Sequence, residues 1–133
     1  MACKETHLGM IKGIVDRLSQ NSFLLKSWSI AIVSAILSFA IGNGNQPLVW
    51  VAYFPALSCW CLDGYYLHRE RLFRALYDHV RVLDEKDIDY AMHLGPVWSA
   101  VPPWRRVLLS PTILVFHGGI LGALVLVTLI TWA

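Results

Sequence analysis

The chain has 133 residues, of which 56% are hydrophobic and only 15% are Asp, Glu, Lys or Arg, with a mean hydropathy of +0.54. Soluble domains carry about 25% charged residues, so the composition argues against an ordinary soluble globule and for a single membrane-embedded domain. The net charge of +2 is too small to make nucleic acid a bulk partner, and DNA is not expected.

Residues 5–20 form the first periodic segment. Leu8, Ile11, Ile14, Val15 and Leu18 recur at helical spacing, with Lys12, Asp16, Arg17 and Gln20 opposite. The pattern predicts an amphipathic helix, lying at a membrane interface or packed on other helices. Asn21-Ser22 is expected to interrupt it. From Ser27 to Leu62, 36 residues pass without a formal charge. That is too long for one crossing and enough for two, since a ~30 Å hydrocarbon core needs roughly 20 residues. Gly42-Asn43-Gly44-Asn45-Gln46-Pro47 combines turn formers with a helix-starting proline. Spans at 25–42 and 47–63, joined as a tight hairpin, follow. A cleaved signal peptide fits poorly, because the preceding region is itself patterned and Ser38-Phe39-Ala40 is a weak cleavage site. Cys3, Cys59 and Cys61 have no CxxC spacing, and no metal or other cofactor is expected.

The stretch LDGYYLHRERLFRALYDHVR, residues 62–81, starts where the second span stops and holds four arginines. Tyr66, Phe73, Leu76, Tyr77, Val80 and Leu83 share helical intervals, with charges on other faces, predicting an amphipathic helix over 64–83. The segment 84–108 opens with Asp84-Glu85-Lys86-Asp87 and continues through Trp98, Pro102-Pro103 and Trp104-Arg105-Arg106. It reads as an interfacial connector, with Trp at headgroup depth and the double proline excluding continuous helix. A third span is predicted over 109–132, in a run uncharged from Val107 to the C-terminus. Gly118 and Gly122 form GxxxG there, and Gly119 with Ala123 repeats the spacing, which favours close helix approach and self-association.

All eleven Lys and Arg lie in 4–26, 69–86 and 105–106. The positive-inside rule then places the N-terminus, the 64–83 helix and the connector in the cytoplasm, and the hairpin tip and C-terminus on the outside. The expected fold is an all-α, multi-pass integral membrane protein.

Two ionisable groups fall at membrane depth. Asp63, at the inner end of the second span, reads as a helix cap or an arginine partner, with an ion-pathway role as the functional alternative. His117 reads as a neutral histidine held by a backbone or serine partner near mid-bilayer, with a proton relay as its alternative. Arg69, Arg71, Phe73, Arg74 and Arg81 are candidates for contact with a cytosolic regulatory protein, an RNA or lipid phosphates. Arg74 and His79 match R-x4-H, a HEPN-ribonuclease pattern, but a solvated or salt-bridged pair is the plainer reading. No other catalytic motif is present, and the chain is not expected to be an enzyme.

NSFLLKSW at residues 21–28 and the 62–81 stretch resemble a widespread group of small bacterial membrane proteins, over residues 8–82. The arrangement is also similar to the two-span SLATT-type proteins and to pore-forming accessory proteins encoded beside CRISPR RNases. That resemblance implies a homo-oligomer that permeabilises or depolarises the inner membrane during anti-phage defence, and the third span departs from its two-span plan. The alternatives are a non-conducting adaptor that recruits a cytosolic enzyme through the 64–83 helix, and a membrane-tethered HEPN-like RNase.

Overall fold

The computed structural model describes residues 2–44, 47–88, 90, 92 and 94–132, and every regular element among them is helical. Asn45 and Gln46 of the expected turn and the terminal Ala133 lie outside the described residues.

Helix α1 runs from Ala2 to Gly42 as one 41-residue element. The expected interruption at Asn21-Ser22 is absent. Nothing between residues 2 and 42 is proline, and Ser or Asn inside a helix costs only about 0.5 kcal/mol against alanine. A single buried stripe of His7, Ile11, Val15, Ser22, Leu25, Ser29, Val33 and Ala40 runs the whole length in steps set by three- and four-residue spacing. The amphipathic segment and the first apolar segment therefore share one face and fold as one rod.

The chain returns through α2 (Pro47–Val51) and α3 (Tyr53–Arg81). Pro55 supplies no N–H for the carbonyl four residues back, so the ladder breaks at Ala52, and the proline falls in the first turn of α3, where it is tolerated. No boundary exists at Asp63: the expected 47–63 span and 64–83 helix are continuous within α3. The two long helices are antiparallel. Lys4 Nζ donates to the Leu83 carbonyl (2.7 Å) at one end, just past the C-terminus of α3. Near the other end Val33 packs with Ala52 and Ala56.

The connector folds against this basal end. Short 3₁₀ turns at Glu85–Asp87 and Gly95–Ala100 precede the one-turn helix α4 (Trp104–Val107). Ile88 and Val97 bury with Ile11, Leu76 and Val80, and Phe73 packs partly against them. Helix α5 (Pro111–Trp132) then climbs beside α3 toward the hairpin tip. Leu124 joins Val33, Ala52 and Ala56, and the Tyr53 and Thr128 hydroxyls bond at 2.9 Å.

Two described stretches, Cys3–Gly42 and Val97–Trp132, contain windows apolar and long enough to cross a bilayer, with mean hydropathies of 1.9 and 2.5. Only 22% and 17% of those windows is buried within the chain, whereas a core helix of a soluble protein is mostly buried. Phe39, Ile41, Val115 and Ile130 are all at least 61% exposed. The stretch 47–63 is divided between α2 and α3 and is not among the two.

Candidate functional site

One largely buried polar cluster lies among the three long helices. Asp63 of α3 is fully buried. Its Oδ1 accepts from the Ser22 hydroxyl of α1. Its Oδ2 faces Lys26 Nζ of α1 at 2.6 Å and His117 Nε2 of α5 at 2.8 Å. Lys26 also donates to Ser22 Oγ at 2.9 Å, closing the ring of contacts. Each residue arrives by simple helix geometry. Ser22 and Lys26 are one turn apart on α1, so both face α3, and His117 lies six residues, or about 9 Å, into α5.

This arrangement corrects two expectations. Asp63 neither caps a helix nor pairs with arginine; it sits inside α3 and its cation is Lys26. The partner of His117 is a carboxylate 54 positions away, not backbone or serine, and it lies low in α5 because the helix begins only at Pro111.

Aromatic groups close the cluster. The Trp60 indole is parallel to the His117 ring (centroids 6.4 Å, planes 2° apart), and Phe116 meets that ring edge-on at 5.1 Å. Lys26 Nζ lies 5.9 Å from the Phe116 centroid. Trp60 Nε1 donates to the Leu108 carbonyl (3.1 Å), and Trp104 Nε1 donates to that of Cys61 (3.3 Å). Gly64 makes room here. A Cβ at that position would overlap Leu108 Cδ2 and stand 3.3 Å from Trp104 Nε1, so the glycine lets the connector reach the helix and roof the cluster.

The cluster holds the Lys26 ammonium against the Asp63 carboxylate. His117 Nε2 donates to that carboxylate, and its Nδ1 is buried with no partner. Among the described residues, no group of three His, Cys, Asp or Glu comes together to hold a metal ion.

No protein-family model matches the chain, and no characterised protein or solved structure matches it either.

The other sequence candidates are dispersed. A Cβ on Gly118, Gly119 or Gly122 would meet nothing within 4 Å, and Ala123 is exposed, so this small-residue surface is not used within the chain. Arg74 is bonded twice to Glu70 (2.9 and 3.2 Å), Arg81 lies 3.8 Å from Asp78, and His79 is exposed. Arg69 lies over the rings of Tyr65 (5.3 Å) and Trp98 (5.6 Å). Arg71 is half-buried. Burial holds the His68 imidazole below its usual range, assisted by the charges of Arg69 and Arg71. Sequence reasoning missed Ser22, Lys26, Trp60 and Gly64. The available signal was the appearance of Ser22 and Lys26 one turn apart beside the mainly apolar stripe of α1.

Proposed function

We propose that the chain is a homo-oligomeric bacterial inner-membrane protein that forms or gates a pore, acting as a membrane-depolarising effector. The supporting observation is the Ser22–Lys26–Asp63–His117 cluster, with the Asp63 carboxylate fully buried where α3 meets the two apolar helices α1 and α5. Ionisable groups at such depth are costly, and they mark ion pathways and switches more often than passive packing. The cluster fills the space between the helices of one chain, so a conduit has to form between copies. The unused Gly118–Ala123 surface of α5 offers close helix contact for that assembly. In this reading the cluster is a latch: Asp63 ties α1 and α5 to α3, and loss of either contact frees α5 to move.

The test is reconstitution of the full chain in dye-loaded liposomes, with oligomer size measured in parallel. Dye release by a multimer, abolished by Gly118→Leu with Gly122→Leu, is the expected result. Complete dye retention by a well-assembled multimer, with its trigger supplied, overturns the proposal.

A non-conducting adaptor is the second reading. It is favoured by a cleft of about 370 Å³ between α1 and α3, lined by Lys12, Val15, Arg74, Tyr77 and Asp78. Its signature is a co-purifying cytosolic protein lost on Arg74→Glu, with no change in permeability.

A further inference from the structure

A second site lies beyond the cluster toward the basal end, six residues along α3 from Asp63. There α3 and the connector leave a cleft of about 600 Å³, walled by Tyr65, His68, Arg69, Trp98, Ser99 and Trp104. Its aromatic walls are partly open, with Tyr65, Trp98 and Trp104 respectively 46%, 51% and 38% exposed. None of its lining residues is acidic.

Arg69 dominates the chemistry. Its guanidinium is held between the Tyr65 and Trp98 rings, and His68 meets Trp98 edge-on at 5.5 Å. The nearest carboxylate in sequence, Glu70, is already committed to Arg74. Arg69 Nε is buried with no hydrogen-bond partner. Unmatched buried donors are expensive, and a guanidinium fork matches the oxygens of a phosphate. Ring stacking fixes the orientation of the fork without using its N–H groups. Arg105 and Arg106 follow Trp104 directly and add positive charge at the same level.

The level identifies the ligand. Leu108 and Trp104 meet Gly64 immediately above the cleft, and the apolar helix α5 starts at Pro111. With α1 and α5 across a bilayer, open tryptophans beside arginines fall at headgroup depth, where basic pockets between helices recognise anionic lipids.

We propose that this cleft binds the phosphate of an anionic phospholipid, with Arg69 as its fork, Ser99 as a hydroxyl donor, and the acyl chains left in the surrounding bilayer. The assignment rests on the chain being a membrane protein and does not depend on whether it conducts.

The test uses the full chain in nanodiscs of equimolar phosphatidylcholine and phosphatidylglycerol, released into mild detergent and weighed intact by native mass spectrometry. Preferential retention of phosphatidylglycerol is expected, with retention falling roughly tenfold in Arg69→Gln. Arg69→Lys keeps the charge without the fork and falls between the two. Equal retention of both lipids by the wild type, or undiminished phosphatidylglycerol on Arg69→Gln, overturns the proposal. The wild-type comparison needs no substitution, so a variant that fails to fold leaves the proposal open to refutation. Added inorganic phosphate or short single-stranded RNA should not displace the lipid; displacement by either assigns the cleft to that anion and overturns the lipid assignment. A chain that permeabilises liposomes without preferring phosphatidylglycerol refutes this site alone, and one that prefers it without permeabilising refutes the pore alone.

Discussion

Replacing Asp63 by leucine tests whether the cluster is a latch or a packing detail. At 2.6 Å the Lys26–Asp63 attraction is worth roughly 6 kcal/mol gross at an effective dielectric constant of about 20. Desolvation of each ion offsets several kcal/mol of that, so the net stabilisation of the intact pair is small. Removal of one member is different. Asp63→Leu leaves Lys26, only 20% exposed at its side chain, without a counter-charge and with Ser22 Oγ as its remaining acceptor, and leaves His117 Nε2 with none. Stranding a buried partner in this way costs about 3–5 kcal/mol. Asp63→Asn keeps the shape and some hydrogen bonds and should cost about 1–3 kcal/mol. The informative control is the triple change Lys26→Met, Asp63→Leu and His117→Phe, which removes all the charge at similar volume and should return stability to near wild type. Unfolding titrations in mixed micelles provide the free energies, and dye release from liposomes provides the function. The latch account expects Asp63→Leu to be destabilised and leaky, and the triple variant to be stable but no longer gated. Asp63→Leu within about 0.5 kcal/mol of wild type, the range of an inconsequential surface change, would refute the reasoning.

Three further outcomes follow from the packing. Gly118→Leu with Gly122→Leu should leave the unfolding midpoint of the protomer unchanged, since an added Cβ meets nothing, while lowering the assembled mass seen by mass photometry. Gly64→Val should push Leu108 and Trp104 off α3, costing about 1–3 kcal/mol and exposing the 84–110 connector to limited proteolysis; an unaltered digestion pattern refutes it. His68 is held below its ordinary value of 6.5 by burial and by Arg69 and Arg71. Its contribution is therefore present above the unfolded value and lost as pH falls through the folded one. Proteolysis of the connector should accelerate between about pH 7 and pH 5, and His68→Gln should flatten that dependence.

The helical character of the chain was legible in its spacing. Ile11 and Val15 on α1, and Leu76 and Val80 on α3, occupy the buried stripes their intervals imply. What failed was punctuation. Asn21-Ser22 and Asp63-Gly64 look like element boundaries because polar and small residues stand there, yet both pairs lie within unbroken helices. Ser22 and Asp63 satisfy each other across the α1–α3 contact, and Gly64 accommodates Leu108. Local propensity registers the polarity of these residues but not the partner that neutralises it. The Asp63–His117 contact was hidden for the same reason, because no periodicity joins residues 54 apart. His117 stands six residues into α5, not ten, because the apolar run that starts at Val107 turns at 108–110 before the helix begins.

The unjointed length of α1 has a mechanical consequence. Forty-one residues extend about 60 Å, twice the thickness of a bilayer's hydrocarbon layer. In a membrane, such a shaft has lipid around one half and water around the other, with no hinge to absorb torque between them. Under the latch proposed above, a twist applied near His7 is expected to reach Ser22 and Lys26, the groups that hold Asp63. Such a latch links an event in the aqueous phase to the grip on α5 through one continuous helix.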